Sequence, residues 1–255
     1  MSYGIFAEFY DELTQNVGYD RRAAYLAVLL AKFGHNAGLT LDLACGTGSL
    51  TLELAKLGID IYGADASEEM LSVAQEKAAQ ANIDTLFLCQ KMQELDLYGT
   101  IDTCVCSLDS INHLTDINDV QKAFEKVSLF MNKGGMFVFD VNTVYKHKEI
   151  LADNTFVYDT DDVYCVWQNS LKENNVVDID LTFFVPDGEG YYRYDESFSE
   201  RAYTRDELTE LLNKAGFEVQ AVYGDMGFNE PRETEQRIIF VAKKITETGT
   251  ASVEL

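Results

Sequence analysis

A chain of 255 residues, 47% hydrophobic and 25% charged, has room for one sizeable α/β core with an embellishment, and no apolar run in it approaches the roughly 20 residues of a membrane span. Its 43 acidic against 20 basic residues give a formal charge of −23, which repels polyanions and disfavours generic nucleic-acid or anionic-membrane binding; Lys and Arg occur singly or in pairs, without a basic patch. Five cysteines (Cys45, Cys89, Cys104, Cys106 and Cys165) make no Cys-x-x-Cys pair and have no histidine nearby, so they read as reduced core thiols, no metal site is expected, and a start without a targeting pattern points to the cytoplasm.

The first 38 residues carry Tyr3, Phe6, Phe9, Tyr10, Tyr19 and Tyr25, several at helical spacing. From Leu39 to about Lys133, short apolar runs alternate with helical patterns, the signature of βαβ units and a parallel sheet. Strands are predicted over Leu39 to Ala44, Ile59 to Ala64, Thr85 to Cys89, Ile101 to Cys106 and Met136 to Val141. Between them fall helices from Ser49 to Leu57, from an N-cap at Ser67 to about Gln80, and from about Asp116 to Met131, the last ended by Gly134-Gly135.

The pattern changes after Asn142. Val177, Ile179, Leu181, Phe183 and Val185 alternate with Asp178, Asp180, Thr182 and Phe184, as on an antiparallel sheet wet on one side, with turns at Asn174-Asn175 and Pro186-Asp187-Gly188. A capping box from Thr204 to Glu207 opens another helix that closes at Gly216, and strands follow over about Glu218 to Tyr223 and Glu235 to Ala242. The expected organisation is a segment 1–38, a seven-stranded mostly parallel α/β domain over 39–150 and 202–245, an inserted antiparallel β subdomain over 151–201, and a polar, frayed tail over 246–255. Such an insertion is most simply laid over the carboxyl edge of the main sheet, where open α/β sheets bind ligands.

Asp42-Leu43-Ala44-Cys45-Gly46-Thr47-Gly48 between a strand and a helix puts glycines at a tight turn, where a cofactor can approach backbone N–H groups. Asp65 closes the next strand, the place where such folds hydrogen-bond a ribose. The third glycine of a dinucleotide fingerprint would fall at position 51, which is Thr51, so a nicotinamide or flavin cofactor fits less well.

With Gly63-Ala64-Asp65-Ala66-Ser67-Glu68-Glu69-Met70-Leu71 and Ser107-Leu108-Asp109-Ser110-Ile111-Asn112, these segments resemble class I S-adenosylmethionine-dependent methyltransferases, of the small bacterial kind with an N-terminal helical cap and an inserted β-sheet. The resemblance spans nearly the whole chain and implies a Rossmann-like fold, S-adenosyl-L-methionine as cofactor and methyl transfer. It implies that the backbone around Ala44, Gly46 and Gly48 meets the methionine end and that Asp42 anchors the loop or the cofactor's amino group. Asp65 would take the ribose hydroxyls, Ala66, Met70 and Met92 the adenine, and Ser107 the sulfonium side, with Tyr10 and Tyr19 lining the cap. The chain departs from the pattern at Lys91, where relatives carry an acidic acceptor for the adenine amino group; Gln90 or Gln93 could replace it.

Methyl transfer is an in-line displacement, so positioning supplies much of the catalysis. Where an acceptor hydroxyl or ammonium must lose a proton, His113, just beyond the fourth strand, is the candidate base, the alternative being a histidine hydrogen-bonded within its loop. His35 reads as a helix end and His147, between Lys146 and Lys148, as a solvated face. Asn142, Trp167 and Arg193 are candidate substrate residues; Arg193 and Arg201 could equally pair with Glu196 or Glu200. The expected partner is a small-molecule methyl acceptor and the expected state a monomer or homodimer. A methyltransferase acting on protein or RNA, and a non-catalytic module binding S-adenosylmethionine or its demethylated product, are the other readings.

Overall fold

The computed structural model describes residues 4–247; Tyr3 and most of the segment from 246 to 255 lie outside them. Helices α1 (Gly4–Leu13) and α2 (Tyr19–Lys32) precede strand β1 (Thr40–Leu43), α3 (Ser49–Lys56), β2 (Ile61–Asp65), α4 (Glu68–Ala81) and β3 (Phe87–Cys89). Next come β4 (Ile101–Cys106), α5 (Ile117–Phe130) and β5 (Met131–Asn142), then a π-helical turn over Lys146–Leu151. Four strands follow, β6 (Thr155–Asp159), β7 (Tyr164–Leu171), β8 (Val176–Asp187) and β9 (Gly190–Arg201), before α6 (Arg205–Lys214), β10 (Phe217–Gly224) and β11 (Arg237–Lys244).

Seven strands form the main sheet in the order β10-β11-β5-β4-β1-β2-β3, parallel except for β11, which runs antiparallel to both its neighbours. Strands β6 to β9 form a separate antiparallel sheet of successive hairpins. The seven-stranded α/β sheet with an antiparallel insertion is the architecture the periodicity predicts.

Each face of the main sheet is covered because its strands are apolar on both sides. Leu26, Leu29 and Leu30 of α2 and Leu50 and Leu54 of α3 pack on Val105, Val138 and Val241. On the other face Phe124 and Val127 of α5 and Leu208 and Leu212 of α6 meet Phe137, Phe139, Phe217 and Phe240, with the rings of Phe139 and Phe240 stacked 5.0 Å apart. On the accessory sheet, Val177, Ile179, Leu181 and Phe183 are buried and close over Phe9 of α1. Helix α1 therefore lies between the accessory sheet and the main domain. The predicted caps form: Ser67 accepts from the Met70 N–H, and Thr204 and Glu207 make the reciprocal capping box.

Three expectations need correction. Helix α5 stops at Phe130 rather than at the glycines, because Met131 is already extended (φ −94°, ψ 135°) and opens β5. Gly134-Gly135 lies inside that strand, where a Cβ on Gly135 would stand 2.7 Å from the carbonyl oxygen of Asp102, so the glycine permits a close approach of β5 to β4. Cys89 is exposed and Cys45 only half-buried, leaving Cys104, Cys106 and Cys165 as core thiols. His147 is fully buried, because the π-helical turn rotates it inward against the carbonyl of Asn175.

Candidate functional site

Strands β1, β2, β4 and β5 run parallel and so end on one edge, and the segments that follow them meet there. After β1 the chain turns through Ala44 (φ 58°), Gly46 (φ 53°) and Gly48 (φ 72°), all left-handed. The two glycines serve different ends. A Cβ on Gly48 would stand 2.9 Å from the Cβ of Ala74, so Gly48 lets α3 pack on α4, whereas a Cβ on Gly46 would meet no atom within 4 Å. Gly46 faces a cleft that is partly open to solvent.

That cleft is lined by Tyr10 and Tyr19 of the helical segment, by Asp42, Ala44, Gly46 and Thr47 of the glycine loop, and by Ser107, Leu108 and Ser110 after β4. Of the predicted residues, Tyr10, Tyr19, Asp42, Ala44, Gly46 and Ser107 are thus brought together. Asp65 stands behind the loop: its Oδ2 accepts from the Gly46 N–H at 2.8 Å and its Oδ1 from the Ser67 N–H at 2.9 Å. One carboxylate thereby fixes the glycine turn and the start of α4 together, and burial raises its pKa against the pull of those donors. Asp42 is buried, accepts from the Thr51 hydroxyl at 2.6 Å, and is pushed by burial up to about 7.

The edge beside β2 and β3 holds Ala66, exposed, and Met70, buried in α4. Lys91 is exposed and lies 3.5 Å from Glu94, while Met92 is half-buried against the core. Gln90 does not replace the missing acidic acceptor: both ends of its amide bind the backbone of Asp96, at 2.9 Å each.

Sequence reasoning missed Asp11. Its Oδ1 accepts from Thr47 at 2.7 Å and from Ser49 at 2.8 Å, and its Oδ2 pairs with Lys77 of α4, so α1 is fastened across the glycine loop by one side chain. It missed as well a buried ionic cluster at the end of β5. Asp140 accepts from the backbone N–H of Leu108 (2.9 Å) and of Asp109 (2.8 Å), from Arg22 at 3.3 Å and from Arg237. The cluster holds Leu108 and Asp109 in left-handed conformations (φ 61° and 55°), a strained pair at the mouth of the cleft. Burial alone would raise the pKa of Asp109, but Arg237 and then Lys146 beside it hold it well below the usual carboxylate range. No local pattern announces these partners, since Arg22, Asp140 and Arg237 belong to distant elements.

His113 is partly exposed, with Glu200 3.7 Å from its Nε2 and the Phe198 ring 5.2 Å away. Asn142 is buried and donates to Asp109 and Glu200. Trp167 and Arg193 do not reach the cleft. The Trp167 Nε1–H donates to Asn169, with its ring packed in the accessory sheet against Phe156 and Tyr158, and Arg193 is exposed and paired with Asp195 at 2.8 Å. Arg201 turns to Glu207 and the Thr115 carbonyl, so the partners expected at Glu196 and Glu200 are replaced by acids nearer each guanidinium.

Comparison with known proteins matches residues 40–135 to the family described as "Methyltransferase domain". YqeM of Bacillus subtilis (strain 168), a chain named as a methyltransferase, is 36% identical over 96% of this chain and 98% of its own. The crystal structure of an S-adenosylmethionine-dependent methyltransferase from Clostridium acetobutylicum superposes with a TM-score of 0.87 at 32% identity, covering 94% of this chain and 98% of that one. The dTDP-3-amino-3,6-dideoxy-alpha-D-glucopyranose N,N-dimethyltransferase of Streptomyces fradiae is 27% identical over 87% of each chain.

Proposed function

This chain belongs to the class I S-adenosylmethionine-dependent methyltransferases, and from that premise we propose that it passes the methyl group to a small-molecule acceptor held between the glycine loop, α1 and the β4 edge. It is an enzyme, and its cofactor is S-adenosyl-L-methionine. The residues present fit that group: Gly46 leaves open the space a side chain would fill, and the buried carboxyl of Asp42 lines the same cleft. When bound, the cofactor supplies a methyl group on a positively charged sulfur.

In this reading Ala44 and Gly46 cradle the methionine end, Gly48 keeps the loop close against α4, and Asp42 answers the ammonium. Asp65 takes the ribose hydroxyls, while Ala66, Met70 and Met92 border the adenine, with Lys91 at the rim. Ser107 faces the sulfonium, and Tyr10 and Tyr19 exclude water from above. His113 takes the acceptor's proton and Asn142 orders the acceptor side. Trp167 and Arg193 carry no role at this site.

The observation that carries the acceptor reading is the roof. Asp11 ties α1 to Thr47, Ser49 and Lys77, and the accessory sheet packs on its far side through Phe9. A roofed cleft on a chain of charge −23 suits a small molecule better than an RNA. The Streptomyces relative, named for a nucleotide-linked amino sugar, supports the same class. The test supplies methyl-labelled cofactor and the chain to a cell extract and separates the products by mass. Label in the low-mass fraction that survives protease and nuclease treatment is expected; label released only by either digestion would overturn the reading.

Asp42 also sets a pH dependence. Its folded value of about 7 lies above the roughly 3.9 of a free side chain, so the folded chain keeps a proton that the unfolded chain has lost. Its contribution to stability is therefore full below about pH 4 and declines as pH rises towards 7. An ammonium beside Asp42 favours the ionised form, so cofactor uptake at pH 6 should release up to about one proton and tighten by as much as roughly tenfold per pH unit up to neutrality. Calorimetry in buffers of different ionisation enthalpy reads this directly, and binding heats independent of buffer would exclude Asp42 as the ammonium's partner.

A further inference from the structure

Among the described residues the two sheets end in four edge strands, and three of them are guarded against further pairing. β3 has three residues, β10 breaks register between Val219 and Ala221, and β6 has five residues and ends at Asp159, with Asp161 and Asp162 just beyond. Short strands, bulges and unanswered charges are the usual guards against a strand from another chain. The fourth edge is built differently. β9 pairs with β8 in unbroken register from Gly190 to Arg201, holds no proline and no lysine, and is twelve residues long where about five or six is usual. Gly190 to Asp195 are all exposed, Tyr191 at 68% and Tyr194 at 40%.

The turn before β9 decides which peptide groups this edge offers. Gly188 (φ 61°) and Glu189 form a two-residue hairpin loop, so the closing pair, Asp187 and Gly190, exchanges its hydrogen bonds within the hairpin. Alternation along the ladder then turns the N–H and C=O groups of Tyr191, Arg193, Asp195 and Ser197 outward. Among the described residues no other backbone group takes them. Laid antiparallel against a second copy of itself, with the two-fold axis at Tyr194, this row is self-complementary. Arg193 of each copy stands opposite the partner's Asp195, and Tyr191 opposite the partner's Ser197. An axis at Arg193 or at Asp195 would instead set like charges face to face, which is unfavourable.

We infer that two copies of this chain associate through β9, edge to edge and centred on Tyr194, so that the two accessory sheets become one antiparallel sheet of eight strands. Arg193 lies 2.8 Å from Asp195 within one copy, on the same face of the strand. Across the axis each guanidinium gains a second carboxylate and each carboxylate a second guanidinium, and the four groups are neutral together. That balance matters for a chain of charge −23, because the contact brings no unanswered acid to a surface where two strongly acidic copies meet. On the other face of the strand the two Tyr194 side chains meet as a pair without hydrogen bonds between their backbones, the kind in which side chains stand closest. The complementarity is of β9 with itself, which makes a second copy the occupant rather than an unrelated strand.

Analytical ultracentrifugation of the full chain should find a dimer, twice the 28.7 kDa of one copy. Arg193→Asp sets carboxylate against carboxylate at both symmetric positions and should weaken that dimer at least about tenfold. Combining it with Asp195→Arg restores opposite charges across the axis, and the dimer should return to within about threefold of wild type. Both side chains are exposed, and circular dichroism reports that each variant is folded. In a Cys89→Ser background, which removes the exposed thiol, Tyr194→Cys should close a disulfide between copies in air, since such a pair brings Cα atoms to about 4.5 Å, whereas Tyr192→Cys should not. A chain that stays monomeric up to about 100 µM would overturn the inference and leave the edge to an extended segment of another protein. A dimer that Arg193→Asp leaves intact, or that the paired change fails to restore, would overturn it by placing the contact elsewhere.

Discussion

Replacing Asp65 by alanine should weaken S-adenosylmethionine binding by at least about 100-fold while leaving the fold intact. The carboxylate has two tasks: it would receive the ribose hydroxyls, and it already receives the N–H groups of Gly46 and Ser67 at 2.8 and 2.9 Å. Hydrogen bonds to a charged group contribute about 1.5–3 kcal/mol each, and about 2.7 kcal/mol corresponds to 100-fold in affinity, so losing the ribose pair alone reaches the expected size. The fold should persist because Asp65 lies at a strand end and the bonds it makes are to loop backbone that water can reach once the side chain is gone. Calorimetric titration checks this, with NAD as control. NAD should bind neither chain, since Thr51, its hydroxyl committed to Asp42, stands where the dinucleotide fingerprint needs its third glycine for close packing of helix on strand. Affinity within about threefold of wild type, set against the roughly tenfold that 1.4 kcal/mol represents, would mean the ribose is held elsewhere.

The largest loss of stability should come from Asp140→Ala. Asp140 is 2% exposed and neutralises Arg22, itself 6% exposed, together with Arg237. Removing one partner of a buried pair leaves the other charge uncompensated, at a cost of about 3–5 kcal/mol. Nε of Arg22 already lacks a partner, so the guanidinium has little to fall back on except Asp225 at 3.2 Å. For a chain of this size that cost corresponds to a fall in Tm on the order of 10 °C, read by thermal unfolding under circular dichroism. The same change frees the N–H groups of Leu108 and Asp109, so the left-handed pair should relax and cofactor affinity should fall with stability. A decrease of only about 2 °C, less than 1 kcal/mol, would show that Asp225 and Asp109 suffice for the two arginines.

What could be read from the sequence was local. Strand, glycine loop and helix succeed one another directly between Thr40 and Lys56, and Ser67 and Thr204 lie next to the helices they cap, so those elements were legible with errors of a residue or two at their ends. The Gly134-Gly135 pair misled because glycine marks a helix end and a close strand approach equally well. His147 misled because its neighbours Lys146 and Lys148 signal solvent, whereas a π-helical turn changes which residue faces inward. Asp11, Arg22, Glu200 and Arg237 were illegible for another reason: each acts through partners that only the tertiary fold brings near, and no periodicity encodes them. Arg193 shows the converse, a suggestive residue among aromatics whose nearest acid, Asp195, claims it on the exposed face.

The insertion also bears on how the chain reaches its native state. β5 pairs with β11, yet the accessory sheet, α6 and β10 all lie between them in the chain. Bringing such remote strands together costs closure entropy that rises with the logarithm of the loop, and pairings of this kind slow folding. The four accessory strands are successive hairpins whose contacts are local, and they end with Arg201 bonded to Asn112 beside the last residue of β5. Once they have formed, the chain between Asn142 and Arg201 no longer counts as free loop, and the distance left for the final strand to search is shortened accordingly. The segment that roofs the cleft is thus also a splint for assembling the sheet beneath it.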